Sequence, residues 1–287
     1  MQWSINALRN ELDVDASDRR QRILIGGSPY ASFDAEADPT PCEEELIRAS
    51  SLLALHPHLI NKSFAAEIAF DEFCYFVNQT YFFEVLGFQV LSSMALSANS
   101  FEFLHEIGAQ VIDEARHIEV YKSVISRFKY KSSVAKCIPD IFQKITSSPS
   151  LPEKAVKGFL VLESLAVGLF GSRIQFFPSS SLTVADRQIL IEEVTHQSHA
   201  LNAVSSFVSE GMITLDEVLD LMHAGVKELA FEIMPFEVAE RHSLGLDRSE
   251  AAQLLQGGIL KTSAMISRSN MRRNLRALKE KCGAKIQ

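Results

Sequence analysis

Cysteine is scarce and poorly placed for chemistry. Cys42, Cys74, Cys137 and Cys282 are scattered over 287 residues, with no Cys-x-x-Cys pair. That argues against a zinc ribbon, a thioredoxin-type site and an iron–sulfur cluster. Positive charge is short as well: 28 Lys and Arg face 36 Asp and Glu, a net charge of −8. No global basic field favours nucleic acid. The locally basic stretch from Arg268 to Lys285 reads as the solvated face of a final helix. The opening Met1-Gln2-Trp3-Ser4-Ile5-Asn6 has no basic region leading into an apolar run. No secretory signal is visible there, and a reducing cytoplasm is the expected compartment. Gly26-Gly27 is followed by no Gly-Lys-Ser/Thr, so it is not a phosphate loop. Strand and hairpin patterns are missing. Long apolar runs are nearly so. Gly158 to Gly171 is the exception, but a bilayer span needs about 20 apolar residues. Glu163 sits in its middle, with Lys157 and Arg173 on either side. It reads as a buried helix of a soluble bundle whose carboxylate has a dedicated partner, and no membrane partner is expected.

What is present is a globular composition, 47% hydrophobic and 22% charged. Residues 1–39 are polar and are expected to form an N-terminal arm; 40–287 are expected to form one helical domain. Helix-start signatures recur. Thr40-Pro41-Cys42-Glu43 carries proline at the first helical position. Asn99-Ser-Phe-Glu102, Ser150-Leu-Pro-Glu153, Thr183-Val-Ala-Asp186, Thr214-Leu-Asp-Glu217 and Asp247-Arg-Ser-Glu250 are similar. Apolar spacing between them predicts helices over 41–56, 62–96, 100–130, 134–146, 151–177, 183–210, 214–242 and 248–281. The predicted fold class is all-α.

Two short motifs of one shape stand out, Glu114-Ala-Arg-His117 and Glu193-Val-Thr-His196. Three-residue spacing puts a carboxylate and an imidazole on one helix face, about one turn apart. Each motif follows a lone Glu in an apolar helical stretch by the same interval of 30 residues (114−84 and 193−163), namely Glu84 and Glu163. Four helices carrying that set can converge four carboxylates and two imidazoles on two metal ions. Burying one ionised carboxylate without a partner costs several kcal/mol, and metal ions would compensate several such acids together. Carboxylate and imidazole ligands suit iron or manganese. Metal-bound histidines usually give their other ring nitrogen to a carboxylate. In a pseudo-symmetric site the acid beside one motif can reach the histidine of the other. This predicts Asp113 as the partner of His196 and Glu192 as the partner of His117. His199, one turn beyond His196, is a further candidate ligand, and Glu192, His196 and His199 could form a shifted set.

The four core helices, roughly 62–210, and the stretch Asp113-Glu114-Ala-Arg-His117 resemble the ferritin-like di-iron carboxylate superfamily. That resemblance implies a ferritin-like four-helix bundle with additional helices. It also implies dioxygen as co-substrate at two iron ions, with manganese an option at one position. Glu84, Glu114, His117, Glu163, Glu193 and His196 would be the ligands. The expected activity is oxidation of a small organic substrate, by N-oxygenation or C–H hydroxylation. The expected partners are an external reductase or ferredoxin and a second copy of the chain in a homodimer. Chain length is similar to the p-aminobenzoate N-oxygenase group, whose extra histidine falls here at Ile189. Two alternatives stay open. One is an iron-binding or storage protein of ferritin type. The other is an oxidase resembling ribonucleotide reductase small subunits and using Tyr121.

Overall fold

The computed structural model describes residues 37–98, 100–128, 138–232, 234–246 and 251–283. Among them every regular element is helical, so the chain is all-α. The helices are α1 (Glu43–Ala49), α2 (Ser51–Leu55), α3 (Ala65–Ala95), α4 (Phe101–Ile125), α5 (Ile138–Thr146) and α6 (Leu151–Phe176). They continue with α7 (Leu182–Ser209), α8 (Leu215–Glu232), α9 (Phe236–Arg241), α10 (Ala251–Leu254) and α11 (Gly258–Lys281). A π turn, Val156–Val161, lies inside α6. Most of the expected arm (residues 1–36), Cys137 and the helix start at Asp247–Glu250 lie outside the described residues. Residues 37–39 are held by the main body: Arg127 Nη1 donates to the Ala37 carbonyl at 2.6 Å, and Ser180 Oγ to that of Pro39 at 2.5 Å.

Three of the long predicted helices are broken. The stretch 41–56 divides at Ser50, whose hydroxyl accepts from the Leu53 amide at 3.0 Å and so starts α2. Its first helix begins at Glu43, because the reciprocal cap forms at Cys42, which donates to Glu45 at 3.3 Å. The stretch 214–242 divides before Pro235, which has no N–H for a helix interior. The stretch 248–281 divides at Gly257-Gly258. At α4 the cap is Ser100 rather than Asn99, accepting from Phe103 at 3.1 Å. The predicted caps at Ser150 and Thr214 form as expected: Ser150 accepts from Glu153, and Thr214 and Glu217 bond reciprocally.

The apolar residues fall into two clusters with a polar layer between them. One cluster takes α3 up to Val85, α4 from Val120, α6 from Phe170 and α7 up to Ile189. The other takes α3 from Leu86, α4 near Ile107, α6 up to Leu162 and α7 from Ala200. In α3 and α7 the chain thus passes from the first cluster to the second, and in α4 and α6 from the second to the first. The four long helices run up, down, down and up, and the one long connection, through α5, joins the two that run the same way. Connections of five residues, 96–100 and 177–181, join α3 to α4 and α6 to α7, which folds each pair into a hairpin. Glu84, Glu114, Glu163 and the Glu193–His196 pair all lie at the level where the two clusters meet.

The helix Leu151–Phe176 is long and apolar enough to cross a membrane, and 83% of its most apolar 18-residue window is buried inside the protein. α11 lies along it and supplies much of that cover. Three of the four cysteines are described, and all are free.

Candidate metal centre

The polar layer is built from the two hairpins. α3 presents Glu84, α4 Glu114 and His117, α6 Glu163, and α7 Glu193 and His196; all six are buried. They form two groups, in each of which the donor atoms lie within 4.8 Å of one another. Glu84, Glu114, His117 and Glu193 make one group, and Glu114, Glu163, Glu193 and His196 the other. Glu114 and Glu193 belong to both. Each half therefore has a private carboxylate and a private imidazole, and the two halves share a pair of carboxylates between them.

The histidines are oriented alike. Nδ1 of His117 faces inward, 3.0 Å from Glu84 and 3.1 Å from Glu193. Its Nε2 stands 2.8 Å from Glu192. Nδ1 of His196 faces inward, 3.4 Å from Glu114 and 4.0 Å from Glu163, and its Nε2 stands 3.2 Å from Asp113. The outer nitrogen of each imidazole thus meets the acid that precedes the opposite motif. Arg116 sits between these two acids. It pairs with Asp113 and lies 3.8 Å from Glu192. Sequence reasoning passed over Arg116 as the variable position of Glu-x-x-His. Part of the signal was available: Arg116 is one helical turn from Asp113, while its approach to Glu192 joins two helices.

The electrostatics call for cations. Fully ionised, the four buried carboxylates would carry four negative charges, which two divalent ions would balance. Without metal, burial pushes Glu114 up to about 8, its neighbours Glu193 and Glu84 adding to the shift while a hydrogen bond with His196 opposes it. Burial likewise raises Glu193. Burial opposes a charge on His196, yet hydrogen bonds with Asp113 and Glu114 push it up to about 10. Protons thus take up part of the charge. Two donor atoms are poorly satisfied. Glu193 Oε2 is buried with no hydrogen-bond partner among the described residues, and buried His196 Nδ1 is left with only the long 3.4 Å approach to Glu114. Such groups are costly unless something else satisfies them. Room has been left for the shared acid too: a Cβ on Gly87, one turn beyond Glu84, would stand 3.1 Å from a Glu114 carboxylate oxygen. The donor set, the poorly satisfied atoms and this space all fit two metal ions.

The other candidates fall elsewhere. His199 is in neither group; its Nδ1 lies 3.0 Å from Gln110 Nε2. Glu192 is also in neither group, with one carboxylate oxygen on His117 and the other accepting from Gln188 at 3.2 Å. Ile189 is fully buried in the apolar core. Tyr121 is buried and donates to Asp186 at 2.6 Å. Arg173 binds the same carboxylate through Nε at 2.9 Å and Nη2 at 2.8 Å, also touches the Tyr121 hydroxyl, and reaches Thr80 at 2.6 Å. Burial, more than any partner, holds the Tyr121 phenol well above its ordinary range. Asp186, expected to cap α7, instead neutralises this buried arginine.

Gln197, next to His196, donates to the carbonyl of Glu163 at 2.8 Å. Asn270 and Asn274 of α11 both donate to the Gln197 side chain, at 2.6 and 3.3 Å. The last helix is therefore tied to the backbone of a candidate ligand, although it carries none itself. A small apolar cavity of about 30 Å³ abuts Glu84, between Phe83 on α3 and Leu162, Leu165 and Phe170 on α6. Comparison with models of known protein families, with curated proteins and with solved structures gives no match.

Proposed function

We propose that this chain is a non-haem di-iron enzyme of ferritin-like architecture that activates dioxygen to oxidise a small organic substrate. The observation that carries the reading is the twin donor group with Glu114 and Glu193 common to both halves. The up-down-down-up helix order with one long crossover supports the architecture. The absence of thiolate from the donor set and the four carboxylates support iron, with manganese an option at one position.

Bound iron would supply the electrons that reduce dioxygen and the oxidising power turned on the substrate. The chain's own residues do the rest. Glu84 and His117 would hold one ion, Glu163 and His196 the other, and Glu114 and Glu193, common to both groups, could serve either. Asp113 and Glu192 fix the ring orientation of the histidines from outside, and Arg116 lies against both acids. The apolar clusters above and below exclude water, which strengthens every charge interaction in the layer. One oxygen atom would enter the substrate, by N-oxygenation or C–H hydroxylation, and the other would leave as water. The two electrons and two protons needed would come through a reductase or ferredoxin. The reading places the enzyme in the cytoplasm, as a homodimer, away from nucleic acid and membrane.

The test is direct. After anaerobic ferrous loading the protein should hold two iron ions per chain. Mixed with dioxygen and candidate amines or apolar acids, it should then yield an oxygenated product. A metal content near zero overturns the reading. A slow reaction that only mineralises iron, with no product, assigns the chain to iron storage instead.

A further inference from the structure

We propose that a cavity between α6, α8 and α11 binds the substrate, and that this substrate is an unbranched apolar chain with an anionic head. The inference rests on the di-iron reading for the word substrate, and on the cavity itself for the chemical class. The cavity measures about 310 Å³, at the lower end of the roughly 300–1,000 Å³ of small-molecule sites. Its walls are apolar, with Leu219, Met222 and Val226 from α8 and Met271 and Leu275 from α11. Along α11 the lining runs from Leu260 to Leu275, about 22 Å of helix at 1.5 Å per residue. A volume this small drawn out over that length fits a polymethylene chain and not a fused ring.

Leu165 links this cavity to the metal layer. It lines the 310 Å³ cavity and also the small cavity that abuts Glu84. Between Lys154 and Phe170, Leu165 and Ala166 are the two residues that are not fully buried. Leu165 lines both cavities and Ala166 only the small one, so the Leu165 side chain is the partition between them. Ser164 accepts from Asn274 and Gly168 abuts Ser267, so the partition at Leu165 is level with that stretch of α11.

The head is fixed by charge. Arg268 and Arg272 lie one turn apart at the rim, both exposed. Among the described residues neither has an ion-pair partner. His223 faces them from α8. In a chain of net charge −8 this is a local cationic mouth on an apolar chamber. Guanidinium groups grip carboxylate and phosphate alike. Inside the chamber Ser267 is 4% exposed, and its hydroxyl has no hydrogen-bond partner among the described residues. It sits where α11 comes close to α6, because Gly168 there has no side chain; a Cβ would stand 2.6 Å from the Ser263 carbonyl oxygen. An unsatisfied buried hydroxyl at the wall offers one polar contact to a ligand passing it.

The experiment is calorimetric titration of the full chain with four ten-carbon probes below their micellar concentrations. These are decanoate, decyl phosphate, decanol and decyltrimethylammonium. At least one anion should bind, with the alcohol and the cation weaker by about tenfold or more. The preferred anion identifies the head as carboxylate or phosphate. The double variant R268E/R272E, changed only at exposed positions, should lose about tenfold or more for the anion and little for the alcohol. Equal affinity for all four probes, or no binding, overturns the inference. Iron content and dioxygen consumption are measured separately. Anion binding without any oxidation leaves the site standing and removes the di-iron reading; oxidation of some other substrate without anion binding does the reverse.

Discussion

Asp113 and Glu192 are separated by most of two helices, yet each stands on the histidine of the other's half. Neutralising either acid leaves shape nearly unchanged and removes the charge that orients the ring. Asp113→Asn and Glu192→Gln should each lower iron affinity or turnover roughly 10–100-fold, with helix content unaltered by circular dichroism. Full iron occupancy and full turnover in both variants would show that the pairing has no function. Tyr121 is the opposite case. Its hydroxyl is committed to Asp186 and Arg173, so Tyr121→Phe should cost about 1–3 kcal/mol of stability and spare iron content and turnover. Loss of turnover with iron retained would revive the reading in which Tyr121 is redox-active. At this scale the sequence was legible where chemistry is local. Glu114 and His117 announce themselves because three residues make one turn. The Arg173–Asp186–Tyr121 cluster did not, because Tyr121 and Asp186 are 65 residues apart. Asp186 looked like a cap for the same reason that acids often are caps.

Helix identity was legible from apolar spacing, and breaks in the helices were not. Ser50 reads as an ordinary helical residue until its hydroxyl is seen to start α2 while also donating to Glu72 at 2.5 Å. Glu72 is the unseen partner. It is buried in α3 and accepts from the Ser51 amide at 2.9 Å and the Leu52 amide at 3.2 Å. Burial nevertheless pushes its carboxyl up to about 7 from 4.5, against these donors. An acid whose pKa is higher in the folded state binds its proton more tightly there. Its contribution is whole below pH 4.5 and is lost as pH rises through 7. The loss amounts to about 3 kcal/mol. Denaturant unfolding of the wild type at pH 5 and pH 8 should show that fall, and Glu72→Gln should flatten it. Equal slopes in the two proteins would refute the assignment. The π turn of α6 was equally invisible. Val156–Val161 has no proline and one glycine, and the turn follows from packing on three sides by α3, α7 and α8.

At the scale of the molecule, the equal 30-residue intervals foretold two matched hairpins, and the two apolar clusters show how they stack around one polar layer. Which helices run the same way could not be read from spacing, since it depends on where the connection through α5 leads. Because all four long helices contribute donors, ions bound in the layer tie the hairpins together. Iron at a hundredfold excess over its dissociation constant should add about 2.7 kcal/mol, and chelation should lower the melting temperature by about 5 °C. An unchanged melting temperature, with metal removal verified, would place the ions outside the layer. α11 has a consequence for how the chain is made. It lies along α6 and closes the side of that helix facing away from the donors. During synthesis α6 emerges long before its cover. Roughly a hundred further residues must follow, which at about 5–20 residues per second takes about 5–20 s. Through that interval the apolar side of α6 that α11 later covers stays open. The cover of α6 is complete only after the last helix has left the ribosome.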